Sequence, residues 1–220
     1  ILEGPNNVQL HNSSFVTPDR FYVNVAYNDK SNNHFGIFYN AYRGGANYSY
    51  MYAVDLNNDN YNYDAIYIPT KKDVEDGLVK FLSEDDAQGF FDFAAKDAYL
   101  SKHMGEYAEA YSVYSPWQHH IDLHYAHDFK LKVAGATNTL QLSLDVKNVA
   151  NLFNNSWGLY KTMNPTLKSG RILDVERIGS DGIPVLKTPS AVSGNTKTWI
   201  VSPVIGQLWY AQVGLKYMFN

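Results

Sequence analysis

The sequence predicts an all-β chain, a fragment of an antiparallel transmembrane β-barrel with about five C-terminal strands and two long extracellular loops. Three observations predict it. First, the stretch from Trp209 to Asn220 alternates strictly: Trp209, Ala211, Val213, Leu215, Tyr217 and Phe219 fall on one face, and Tyr210, Gln212, Gly214, Lys216 and Met218 on the other. A long apolar edge of this kind invites aggregation in water, whereas a barrel wall needs such a band against lipid, with aromatics at both interfaces. Second, four further segments alternate in the same way, and the connections run short, long, short, long. That is the rhythm of outer-membrane barrels, with tight periplasmic turns and long extracellular loops. Third, aromatic residues make up 15 % of the chain, with 18 Tyr, 11 Phe and 4 Trp, a share that fits interface girdles or a sugar-facing surface.

The first strand, about 20–28, places Phe21, Val23, Val25 and Tyr27 on one face. The second begins at His34 with Phe35, Ile37, Tyr39 and Ala41 aligned, and is expected to run on through Gly44-Gly45 to Tyr52. The third, 117–131, sets Ile121, Leu123, Tyr125, Phe129 and Leu131 against Gln118, His120, Asp122, His124 and Asp128. The fourth, 139–149, has the cleanest pattern, with Leu140, Leu142, Leu144 and Val146 opposite Gln141, Ser143, Asp145 and Lys147. The fifth covers 207–219. Strands of about ten residues exceed the five or six of ordinary sheets and suit a tilted membrane crossing. Residues 29–33 and a Gly135-containing turn make the short connections; 53–116 and 150–206 make the long ones. Within the first long loop, Ser83-Glu-Asp-Asp86 followed by Ala87–Ala98 reads as a capped short helix. The second carries Asn164-Pro165, Gly179-Ser-Asp-Gly182 and Ser193-Gly-Asn195, and reads as hairpins or irregular chain.

Composition narrows the function classes. A net charge of −4 with no basic patch argues against nucleic-acid binding. The absence of cysteine excludes disulfides and thiolate chemistry. No apolar run reaches the roughly 18 residues of a membrane helix. A mean hydropathy of −0.35 is compatible with a membrane barrel, because alternate residues face water. The start, Ile1-Leu-Glu-Gly-Pro5, has neither a basic beginning nor an apolar core, so it is not a signal peptide. With no initiating Met, the chain is expected to be a piece of a longer, processed one.

Several segments resemble the C-terminal part of TonB-dependent outer-membrane receptors of the Oar-like, Bacteroidetes type. They are Tyr52-Ala-Val-Asp-Leu-Asn-Asn-Asp59 leading to Asp64-Ala-Ile-Tyr-Ile-Pro69, Tyr99-Leu-Ser-Lys-His-Met-Gly105, and Ser115-Pro-Trp-Gln-His-His-Ile-Asp-Leu-His124 with His127-Asp-Phe129. Leu140-Gln-Leu-Ser-Leu-Asp-Val-Lys-Asn148, Asn151-Leu-Phe-Asn154 with Trp157-Gly158, and the terminal strand follow in the family's order. The resemblance implies a barrel of about 22 strands occluded by an N-terminal plug. It implies import of a large nutrient (oligosaccharide, peptide or chelate) across the bacterial outer membrane with energy delivered by TonB. The implied partners are the rest of the barrel and plug, outer-membrane lipid, TonB through the absent N-terminal part, and a surface lipoprotein. Plug, TonB box and most strands have no counterpart here, so the family's energy-coupling residues are not carried over. Five strands enclose almost no interior, so their open edges require cover.

Candidate sites follow from residue spacing. Asp55, Asn57, Asp59 and Asp64 put oxygen ligands at alternating positions, as calcium loops do, and make calcium the one cofactor suggested. The sixth position is Asn60 rather than Gly and the twelfth Ile66 rather than Glu, so a solvated Asx-rich turn is the competing account. Tyr48, Tyr50, Tyr52, Tyr61 and Tyr63 read either as a stacking surface for substrate or as girdle and loop packing. His120, Asp122 and His124 share a strand face and could chelate zinc, or belong to a polar lumen network. His119 and His127 would point toward lipid, which places them near the interfaces or calls for a bulge. Asp145 and Lys147, near Asp122 and Asp128, read as a lumen salt-bridge network. No Ser/His/Asp order, phosphate loop or HExxH accompanies them, so no catalysis is expected. Two other readings remain. A soluble calcium-containing, carbohydrate-binding β-sandwich would bury the Leu140/Leu142/Leu144 face. A passive outer-membrane porin or adhesin would share the strands but not the loop motifs.

Overall fold

The computed structural model describes residues 10, 13, 15–43, 48–56, 60, 62, 64–202 and 204–219. In chain order the elements are β1 (Arg20–Asn28), β2 (Asn33–Arg43), α1 (Lys71–Glu75), β3 (Lys80–Phe81) and α2 (Glu84–Ala94). Then come β4 (Trp117–Val133), β5 (Ala136–Lys147), α3 (Val149–Phe153), β6 (Lys161–Met163), β7 (Asp174–Ile178), β8 (Pro184–Lys187), β9 (Trp199–Val201) and β10 (Tyr210–Met218). The protein is mostly β, and no described helix is long and apolar enough to cross a membrane. The chain divides into two units. One comprises Thr17–Gly44, Pro116–Lys161 and Val201–Asn220, and the other Ile1–Val16, Gly45–Ser115 and Thr162–Ile200.

The first unit is a five-stranded antiparallel sheet in the order β1-β2-β4-β5-β10. Its strands are 9 to 17 residues long, enough for a tilted crossing of a bilayer. Register is continuous across all four ladders, with Val25↔Ile37↔Leu123↔Val146↔Ala211 in one row and Tyr27↔Phe35↔Tyr125↔Leu144↔Val213 in the next. Because side chains alternate, each row assigns its residues to one face of the whole sheet.

Both short connections lie at the same end. Between β1 and β2, Asp29 Oδ1 accepts from the Ser31 and Asn33 amides at 2.8 and 2.9 Å, and Asp29 Oδ2 accepts from Asn33 Nδ2 at 2.7 Å. The Asn33 side chain, followed by its backbone amide, holds the Asp29 carboxyl below its usual value. Between β4 and β5, Ala134 and Gly135 both have positive φ, 51° and 87°, the two-residue turn whose twist matches that of the flanking strands. The two long connections leave from the other end.

Those long connections build the second unit together. From 48–113 come Tyr50, Ile66, Ile68, Phe90, Phe93 and Leu100; from 163–192 come Leu167, Ile172, Leu173 and Leu186, all buried in one core. β3 pairs in parallel with β8, and β7 pairs antiparallel on the other side of β8. The Thr188 amide donates to Asp86 Oδ1 at 2.9 Å, and the Thr188 hydroxyl to the Asp86 carbonyl at 2.7 Å. α2 begins as its sequence indicates, with Ser83 Oγ accepting from the Asp86 amide at 3.1 Å. It stops at Ala94 rather than Ala98, because Asp97 turns inward and accepts from the Tyr99 and Leu100 amides at 2.9 Å each. Gly170 sits at φ 103°, and a Cβ there would lie 2.2 Å from the Ser49 carbonyl oxygen, so no larger residue fits this crossing of the two connections.

Several strand bounds differ from the sequence reading: β4 runs on to Val133 and β5 starts already at Ala136, so their hairpin is longer than the alternation alone indicates. β2 ends at Arg43, and Tyr50 and Tyr52 belong instead to the core of the second unit, where their alternation reflects burial rather than a continuation of β2. β5 ends at Lys147 because Asn148 takes a left-handed conformation (φ 49°) and starts α3. β10 begins at Tyr210 because Ile205–Gln207 forms a 3₁₀ turn.

Candidate functional site

The five-stranded sheet has two chemically opposite faces, and neither resembles an ordinary protein interior. On one face the Val25 and Tyr27 rows described above are flanked by Phe129, Leu140 and Tyr217. These side chains are largely uncovered: Leu142 is 43 % exposed, Leu144 40 %, Val213 69 % and Leu215 72 %. The rings of Tyr27, Phe35 and Tyr125 form a ladder, with centroids 6.3 and 5.1 Å apart. An exposed apolar surface of this continuity marks a contact with something other than water.

His119 and His127 lie on this face without any bulge, since the β4 register is unbroken. Each sits toward one end of it. His119 Nδ1 lies 2.8 Å from the Tyr39 hydroxyl and stacks between Tyr39 and Trp117. His127 Nδ1 lies 2.8 Å from Asn33 Oδ1, which also accepts from the Tyr125 hydroxyl, and its ring meets Phe129 edge-on at 4.5 Å. Histidines that keep a polar partner beside aromatic rings suit a boundary between an apolar phase and water.

The opposite face carries several paired polar groups, although the buried Gln118 amide has no hydrogen-bond partner among the described residues. Lys147 Nζ lies 2.9 Å from Asp122 Oδ2, and Asp122 Oδ1 accepts from the Asn148 amide at 2.9 Å. His124 Nδ1 lies 2.8 Å from Asp145 Oδ1. Asp128 accepts from Gln141 Nε2 at 2.8 Å and lies 3.3 Å from His34 Nε2. Each of these carboxylates therefore has a polar partner on the same face, and Lys147–Asp122 is an ion pair between β4 and β5. His120 stacks on Tyr42 at 6.3 Å instead of joining Asp122 and His124, and no metal-binding cluster forms among the described residues.

Beyond the end of β5, three amide side chains fasten the chain back onto the start of β10. Asn148 Nδ2 donates to the carbonyls of Gly158 (3.0 Å) and Gln207 (2.7 Å). Asn151 Nδ2 donates to the carbonyls of Asn155 (3.2 Å) and Trp157 (2.9 Å), while its Oδ1 accepts from the Trp209 amide at 3.2 Å. Gln207 Oε1 accepts from the Tyr160 amide. A Cβ on Gly158 would lie 1.9 Å from Asn148 Oδ1, so this clasp requires glycine there. Asn148 and Asn151 fall within the segments on which the receptor resemblance rests; nothing in their spacing announces the clasp.

The remaining candidate residues are dispersed. Tyr50 and Tyr52 are 0 % and 5 % exposed, so their rings pack the core and offer no stacking surface. Tyr48 is half-buried and meets Trp199 edge-on at 5.8 Å. Tyr61 and Tyr63 lie outside the described residues, as do Asn57 and Asp59 of the calcium candidate. Of that candidate's described members, Asp55 Oδ2 accepts from the Asn60 amide at 2.8 Å and Asp64 Oδ2 from the Leu56 amide at 2.6 Å. Both bonds fold the segment between residues 55 and 64 back on itself.

Asp97 lacked any sequence signal. It is 4 % exposed, and its Oδ2 accepts from the hydroxyls of Tyr50 (2.9 Å) and Thr198 (2.5 Å). Burial, reinforced by the Asp97 carboxylate, pushes the Tyr50 phenol well above its ordinary value. No protein-family profile, no curated protein and no solved structure matches this chain.

Proposed function

We propose that this chain is part of the wall of an outer-membrane TonB-dependent receptor that imports a large nutrient, with the two long connections serving as its extracellular loops. The observation that carries the reading is the opposition of the two sheet faces: exposed apolar rows on one side, and a hydrogen-bonded polar network on the other. Lipid is the medium that rewards the first, and a hydrated lumen the second. The alternation of tight turns at one end with long connections at the other supports the same orientation. In this reading β1 and β10 are open edges that pair with the remaining barrel strands, and the chain performs no chemistry itself. A soluble carbohydrate-binding sandwich is disfavoured by the exposure of Leu142 and Leu144, which it would bury. A passive porin shares the wall, and a plug domain encoded upstream distinguishes the receptor from it.

The test is extraction. Expressed alone, residues 1–220 are expected to be insoluble without detergent. Co-expressed with the upstream portion, they should assemble in detergent into a barrel whose gel mobility changes on heating. Monodisperse behaviour in plain buffer would overturn the reading.

A further inference from the structure

A second apolar surface lies outside the strands, and its chemistry differs from that of the wall. Leu152 and Phe153 of α3, with Leu208 and Trp209 at the entry to β10, line an open recess with Asn151, Asn154 and Asn155 on its polar side. Phe153 is 79 % exposed, and Ile205, on the 3₁₀ turn beside this entry, is 87 % exposed. In a water-facing loop such residues would be mixed with charge. Charged residues make up 18 % of the chain, yet neither 148–160 nor 201–209 contains one.

Side chains from within these neutral segments satisfy part of their backbone, while Asn148 Oδ1 is itself buried without a hydrogen-bond partner among the described residues. The clasp of Asn148, Asn151 and Gln207 satisfies the carbonyls of Gly158, Gln207, Asn155 and Trp157 and the amides of Trp209 and Tyr160 from within the protein. Such internal pairing matters where water is scarce, since an unpaired backbone group there carries a large penalty. The surface is continuous with the wall: Trp209 precedes β10 and shares the face of Ala211 and Val213, and the whole recess lies beyond the strand end from which the long connections leave.

We infer that α3 and the 3₁₀ turn before β10 form an anchor that seats in the headgroup layer of the outer leaflet. The inference rests on the membrane reading above. Its occupant is the lipid surface itself: exposed apolar tips dip toward the acyl chains, amides remain at headgroup level, and neutrality avoids the cost of placing charge there. The clasp holds both segments in one rigid piece, so the anchor fixes the depth of β5 and β10.

These 220 residues contain no cysteine, so once any cysteine of the upstream portion is replaced by serine each label has a single site. Single variants Phe153→Cys, Ile205→Cys, Val213→Cys and Leu78→Cys of the complete protein are labelled with an environment-sensitive fluorophore and reconstituted in phosphatidylcholine vesicles. All four positions are exposed, so the substitutions spare the core. Labels at 153 and 205 are expected to lose fluorescence to lipids carrying a nitroxide near the headgroup and to resist aqueous iodide. The label at 213 should respond to a mid-chain nitroxide, and the label at 78 to iodide alone. If 153 and 205 behave like 78 while 213 still senses lipid, the anchor is wrong and the membrane wall stands. Protection of 153 and 205 from both quenchers would assign the surface to a protein partner and overturn the anchor. If 213 also responds only to iodide, both readings fall.

Discussion

Asp97 brings four donors onto one buried carboxylate: two hydroxyls from Tyr50 and Thr198, and two backbone amides from Tyr99 and Leu100. Because Tyr50 and Thr198 come from different long connections, this group ties the two together at a single point. Removing the acceptor strands all four donors in the core. Asp97→Ala is therefore expected to destabilise the protein by at least about 3 kcal/mol in thermal unfolding, and Asp97→Asn by roughly half as much, since the hydroxyls can reorient toward an amide. Tyr52 supplies a pH signature of the same core, because burial pushes its phenol up to about 12. A neutral acid whose folded pKa is raised contributes stability that is complete below its unfolded value, near 10, and is lost as pH rises through the folded value. Roughly 2–3 kcal/mol should thus disappear between pH 10 and 12. Tyr52→Phe should flatten this part of an alkaline unfolding curve followed by circular dichroism and tyrosinate absorbance.

At the scale of elements, what the sequence makes legible depends on how different two faces are. β5 reads cleanly because Leu140, Leu142, Leu144 and Val146 share one environment and Gln141, Ser143, Asp145 and Lys147 another, so period 2 survives without any tertiary information. The same period misleads at Tyr48, Tyr50 and Tyr52, where alternation records which side of a single chain segment enters a core. α3 is too short for a helical period, and the clasp of Asn148 and Asn151 depends on carbonyls up to 59 residues away. The β4–β5 turn shows local chemistry held in place by its strands. Ala134 occupies a left-handed conformation that an L-alanine resists, next to a glycine that accepts it. Ala134→Asn should stabilise the hairpin by about 0.5–1 kcal/mol, and Gly135→Ala should destabilise it by a similar amount, in urea titrations of the folded protein.

For the whole molecule, the least legible feature is that two segments separated by the β4–β5 hairpin share one core. Their contacts are long-range, such as the two-residue parallel pairing of β3 with β8, and no periodicity encodes them. The two-faced sheet, by contrast, leads to a prediction that separates water from lipid as the medium outside it. Val213 and Gln212 are neighbours on β10, both exposed, facing opposite sides. In a water-soluble protein Val213→Arg would replace an exposed apolar group with a solvated one, at little cost and with some gain in solubility. Against lipid, the same substitution places a guanidinium in hydrocarbon and should cost about 2–4 kcal/mol near the midplane, while Gln212→Arg on the polar face should cost well under 1. Reversible folding of the two variants into phospholipid vesicles, followed by urea titration, measures the difference. A large penalty confined to position 213 means that the apolar rows face lipid. Equal, small effects at both positions would mean that they do not, and the apolar face would then require a protein surface to cover it.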